Sequence, residues 1–134
     1  MEELLRQHGL KATPARLAIL AIFTQTRIPL SAEKVYGLLR QNRKKINEAT
    51  VYRTLSSLTE SGILKRINLQ KDVSCFELAS VHHHHITCTQ CETVEDFESG
   101  EVEKALERIA RRSSKFIHVR DHSLELFGIC KKCS

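Results

Sequence analysis

Apolar residues recur at helical spacing through the first half of the chain and fall into short strand-like runs in the second. Leu4 and Leu5 open a short helix that Gly9 can end in a left-handed conformation. Thr13-Pro14 reads as an N-cap followed by proline at the first helical position. The helix that follows is wholly apolar from Leu17 to Phe23, which predicts a central place in the core. Ser31 caps a third helix with Ala32, Val35, Tyr36 and Leu39 at helical spacing. Asn47 caps a fourth, in which Val51, Leu55 and Leu58 form a stripe, and Gly62 stops it.

Residues 63–67 and 74–78 have strand character, with Gln70-Lys71-Asp72 as the turn between them. Helices followed by a two-stranded hairpin are the layout of a winged helix-turn-helix, with the fourth helix as recognition helix and the hairpin as wing. A helical bundle carrying an unrelated hairpin is the rival reading. Around Ala79-Ser80 the pattern changes. Strands are expected over 85–87 and 94–97, and then a helix capped by Ser99 with Val102, Ala105, Leu106, Ile109 and Ala110 on one face. Two more strands are expected over 116–119 and 124–129. The fold class is therefore α+β, with domains 1–79 and 80–134. The second domain is too small to hold much of a core by itself, so a metal or a partner subunit should stabilise it.

Composition adds three constraints. No apolar run is long enough to span a membrane, and Met1 to Arg6 lack the apolar stretch of a secretion signal, so a cytoplasmic protein is expected. The net charge is +5, and the positive excess lies in residues 1–80, whereas 81–134 are slightly acidic. A basic half beside an acidic, histidine- and cysteine-rich half suggests that the first meets phosphate.

The candidate chemistry is concentrated in the second half. Cys88 and Cys91, with Cys130 and Cys133, form two C-x-x-C pairs whose spacing lets both thiolates of each pair turn onto one ion. Redox pairs are the competing reading, but such motifs usually begin a helix, and here each follows or ends a strand. The run His82-His83-His84-His85 is either a solvated loop or a ligand source for two sites. Alternate residues of a strand point to opposite faces, which puts His83 and His85 on one side and His82 and His84 on the other. Imidazole alone does not name the metal. Tyr52 and Arg53 lie off the apolar stripe of the fourth helix, either as base-reading side chains or as an ordinary solvated face. Cys75 reads as a strand cysteine sharing a face with Glu77, and His8 and His118 as surface or partly packed histidines.

These residues resemble the ferric uptake regulator superfamily, which includes iron, zinc, manganese, nickel and peroxide sensors. The resemblance runs through Gly9 to Arg16, Ser31-Ala32-Glu33, Ala49 to Leu55, Phe76-Glu77-Leu78, the histidine run with its first cysteine pair, and His122 to Cys130. It implies a homodimeric repressor with an N-terminal winged-helix domain and a C-terminal α/β dimerisation domain, bound to double-stranded operator DNA. It also implies a structural Zn2+ on Cys88, Cys91, Cys130 and Cys133, a regulatory hinge site of Glu77, His83, His85 and Asp96, and an additional site of His82, His84, Glu103 and His122. The regulatory metal implied is Fe2+ or Zn2+, with Mn2+ a further candidate. Tyr52 and Arg53 are implied as major-groove readers, Thr50 as a neighbouring DNA contact, and Lys11 or Arg16 as contacts to the backbone or minor groove. One departure is specific: where iron and peroxide sensors carry a histidine before Ser-Ala-Glu, this chain has Arg27-Ile28-Pro29-Leu30, and proline cannot ligate.

Three functions follow. The first is a metal-dependent transcriptional repressor that controls metal homeostasis, including its zinc- and peroxide-sensing variants. The second is a metalloenzyme built on the histidines, which lacks an obvious general base apart from the ligands. The third is a metal-binding protein of the same fold without switched DNA binding.

Overall fold

The computed structural model of the protein describes residues 1–70, 72–80, 82–120 and 122–134, with the side chain of Gln70 left aside. Lys71, expected in the hairpin turn, lies outside the described residues. The chain forms two compact units, Met1–Val81 and His82–Ser134.

In the first unit α1 (Glu2–Gln7), α2 (Pro14–Thr24), α3 (Ala32–Gln41) and α4 (Glu48–Glu60) precede the hairpin of β2 (Leu64–Gln70) and β3 (Val73–Leu78). Local chemistry sets the helix boundaries. Thr13 Oγ1 accepts from the Arg16 N–H at 3.3 Å, Ser31 Oγ from that of Lys34 at 3.1 Å, and Asn47 Oδ1 from that of Thr50 at 2.8 Å. Each cap satisfies a donor that the first helical turn leaves without a backbone partner. After α1 and α4 the chain turns through Gly9 at φ +74° and Gly62 at φ +82°, where a Cβ would be strained. Ile19, Leu20 and Phe23 of α2, Val35 and Leu39 of α3, and the Val51/Leu55/Leu58 stripe of α4 meet in one buried cluster with Leu5, Leu64 and Phe76.

The residue pattern did not disclose β1 (Leu30–Ser31), which adds to β3 to give a three-stranded antiparallel sheet of order β1-β3-β2. Two residues are too few to show a period, and the strand exists because Leu30 pairs with Phe76 and Ser31 with Cys75.

The second unit is a sheet of order β5-β4-β6, made of β4 (His84–Cys88), β5 (Val94–Phe97) and β6 (Glu125–Gly128). β4 and β5 are an antiparallel hairpin, whereas β6 runs parallel to β4. A parallel neighbour needs a crossover, and α5 (Gly100–Arg111), capped by Ser99 Oγ on the Val102 N–H at 3.4 Å, provides it. Not one residue of α5 is buried, although Val102, Ala105, Leu106, Ile109 and Ala110 share a face.

The strand expected over 116–119 is absent. Ser113 Oγ instead accepts from the N–H groups of Lys115 (3.2 Å) and Phe116 (3.1 Å), bending the chain where α5 ends. No described strand pairs with this stretch, and Phe116 and Ile117 are 70% and 95% exposed. Apolar β-formers without a neighbouring strand have no ladder to join.

Candidate metal centres

The parallel pairing of β4 and β6 explains why two cysteine pairs so distant in sequence meet. Cys88 ends β4 in register with Gly128, and the Thr89 N–H donates to the Gly128 carbonyl at 2.9 Å. Both C-x-x-C turns therefore begin at the same end of adjacent strands. The first is closed by Glu92 N–H to Cys88 O (3.0 Å), with Glu92 at φ +65°, and the second by Cys133 N–H to Cys130 O (3.0 Å). The four Sγ atoms all lie within 4.8 Å of one another, and those of Cys91 and Cys130 are 3.6 Å apart. Zn–S bonds of about 2.3 Å in a tetrahedron require S···S edges of about 3.8 Å, so the cluster fits a structural zinc ion. Electrostatics point the same way. Backbone N–H groups of Cys91, Cys130 and Gln90 lower the Cys88 thiol to about 6, while the neighbouring sulfurs of Cys130 and Cys91 push Cys133 up to about 12. Four thiolates cannot crowd together without a cation, and Zn2+ would supply that positive charge.

A second cluster forms on the other side of the histidine run. The Nε2 atoms of His82 and His84 each lie 2.9 Å from one oxygen, Oε1 of Glu103 on α5, and His122 Nε2 lies 3.3 Å from it. Hydrogen bonds from His82 and His84 hold the Glu103 carboxyl below its ordinary range. Three imidazole nitrogens and a carboxylate converging on one point form a donor set suited to zinc, iron or a related divalent ion.

His83 and His85 take the opposite direction, with ring centroids 4.7 Å apart. His85 occupies the central strand, in register with Asp96 of β5 and Glu125 of β6, so all three side chains share one sheet face. Asp96 was among the expected ligands. Glu125 was not, because only the register of β6 against β4 reveals it; its Oε2 lies 3.4 Å from His85 Nδ1. Glu77, the remaining expected hinge ligand, belongs to the first unit, where Lys65 Nζ lies 3.1 Å from its Oε1. Cys75 on the same strand is half-buried, and burial pushes its thiol up, away from the reactive thiolate form.

Among the expected DNA contacts, Tyr52 is 50% exposed on α4 and Arg53 lies beside it, its Nη2 donating to Thr50 Oγ1 at 3.4 Å. Lys11 is exposed. The Arg16 guanidinium donates to the Lys11 carbonyl at 2.9 Å and to Ser57 Oγ at 3.3 Å. It ties the segment before α2 to α4, and so positions Lys11 relative to the Tyr52/Arg53 face. His8 is exposed, with its Nδ1 2.8 Å from the Ser61 carbonyl.

Comparison with known proteins agrees with this architecture. The family model described as the ferric uptake regulator family matches residues 7–127. The ferric uptake regulation protein of Cupriavidus metallidurans is 40% identical over 130 residues, which cover 96% of this chain and 90% of that protein. The solved ferric uptake regulator of Vibrio cholerae has a TM-score of 0.84 at 34% identity, covering 96% of this chain and 98% of that one. The Pseudomonas aeruginosa regulator, solved with manganese, has a TM-score of 0.83 at 33% identity and covers 97% of both chains. With cysteine and histidine clusters of this geometry and likeness over nearly its whole length, the chain belongs to the ferric uptake regulator family of metal-dependent transcriptional repressors.

Proposed function

We propose that this chain is a homodimeric repressor in which residues 1–79 bind operator DNA as a winged helix, residues 80–134 dimerise, and a divalent metal couples the two. The observation that carries the proposal is the split of one histidine run into two ligand groups on opposite faces of the β4 sheet, beside a four-cysteine cluster. The core stripe of α4 would be needed by any protein of this fold, but its Tyr52 and Arg53 stand on the surface of a basic domain, where DNA readers belong. Glu77, His83, His85 and Asp96 are assigned to the regulatory site, and His82, His84, Glu103 and His122 to the additional one. A metal at Glu77 would compete with the Lys65 ammonium for the same carboxylate.

The incompletely covered apolar face of α5 supports the homodimer. Val102, Ala105, Leu106 and Ala110 are only partly buried and Ile109 is exposed, a face that a partner would complete. Phe116, Ile117 and Phe127, all more than half exposed, add to the exposed apolar surface of the same unit. As a cytoplasmic transcription regulator the protein requires no membrane anchor, and no helix among the described residues is long and apolar enough to cross a membrane.

DNA readout by α4 is tested by substitution. Tyr52→Ala and Arg53→Ala should each weaken specific binding by about 1–3 kcal/mol, with melting temperature and zinc content unchanged. Lys11→Ala should weaken operator and random DNA alike and reduce the salt slope by about one unit. Fluorescence anisotropy with operator and scrambled duplexes reads both effects. Unchanged operator affinity in the Tyr52 and Arg53 variants would remove α4 as the reading element.

A further inference from the structure

We infer that Glu125 is the outer carboxylate of the His83/His85 metal site, accepting the Nδ1–H of His85 and thereby presenting Nε2 to the ion. The inference rests on the proposed reading of that histidine pair as the regulatory site, and it adds a positioning residue which that reading did not contain.

The sheet register is the first support. His85 sits on the central strand, and Glu125 is its partner on the parallel strand β6, so the two side chains project from the same face one strand spacing apart. Distance is the second. Glu125 Oε2 stands 3.4 Å from His85 Nδ1, and both atoms are shielded from solvent. The two atoms are within ion-pair reach, and the inferred N–H donation joins them. Burial is the third: His85 is 1% exposed and the Glu125 side chain 17%. A carboxylate so shielded from water is stabilised by cationic or N–H groups around it, and the imidazole is one of them.

The chemical consequence is definite. A neutral imidazole carries one proton on either nitrogen, and a carboxylate beside Nδ1 selects the Nδ1–H form, leaving the Nε2 lone pair for a metal. Such outer carboxylates also raise the basicity of the ligand, and their loss typically weakens metal binding 10–100-fold. A polar glutamate within the short strand Glu125–Gly128 is explained by this role rather than by strand stability.

The test uses full-length protein that keeps its cysteine-bound zinc and carries His82→Ala and His84→Ala, so that one histidine pair remains. Nitrogen NMR of the metal-free protein, at a pH where imidazoles are neutral, should show His85 as the Nδ1–H tautomer. Glu125→Ala should lose that preference and bind Co2+ 10–100-fold more weakly in competition with a chromophoric chelator. Glu125→Gln, whose amide oxygen still accepts the N–H, should keep the tautomer and recover most of the affinity. A direct ligand role would make Gln fail as badly as Ala, which overturns the inference. An Nε2–H tautomer in the Glu125 protein also overturns it, even if Co2+ binds. A protein with the Nδ1–H tautomer that takes up no Co2+ at this pair overturns the reading of the metal site itself, and the role of Glu125 falls with it.

Discussion

Cys130→Ser is expected to abolish stoichiometric zinc and to unfold residues 82–134. Apparent binding free energies of structural zinc are on the order of 10 kcal/mol, comparable with the whole stability of a typical domain, about 5–15 kcal/mol. The second unit has few other resources. Its α5 has no buried residue, and the large apolar side chains of β6, Leu126 and Phe127, are 41% and 55% exposed. The variant should therefore lose the ion, its dimer contacts and its cooperative melting transition together, while the first unit, with a core of its own, stays folded. Metal analysis, sedimentation and circular dichroism on one preparation read all three. A dimeric variant that retained zinc and melted like the parent would show that the cysteines do not hold the unit together.

The second large effect concerns the two histidine pairs. His83→Ala with His85→Ala should abolish metal-dependent DNA binding even at high metal, because the imidazoles assigned to the regulatory site are gone. His82→Ala with His84→Ala should leave a metal response and lower it in a graded way, since Glu103 and His122 remain at the additional site. Binding isotherms across a metal titration distinguish a lost switch from a shifted one. Identical behaviour of the two variants would contradict separate roles for the two faces of β4.

What was legible in the sequence was mostly local. The caps at Thr13, Ser31, Asn47 and Ser99 are read from a few adjacent residues, and each is a cap in the structure. The divergence of the four histidines follows from strand alternation alone. What escaped depends on distant partners. β1 exists only through β3, and Glu125 meets His85 only because β6 lies parallel to β4. Residues 116–119 carry β-forming side chains, but the Ser113 turn and the lack of a described neighbouring strand keep them irregular. Arg16 shows the same limit at a single residue: its bond to Ser57, 41 residues away in sequence, appears only once the fold brings α2 and α4 together.

If metal occupancy sets DNA affinity, a binding titration will show it. Protein retaining its cysteine-bound zinc but stripped of other metal is titrated onto a duplex that it has itself selected from a random pool. The titration is done in chelator and then with added Fe2+, Zn2+ or Mn2+ under anaerobic, reducing conditions. At least one of these ions should tighten binding by 5–150-fold, the usual range of coupling between two sites, and the gain should disappear in His83→Ala with His85→Ala. Equal affinity with chelator and with every metal would contradict the account.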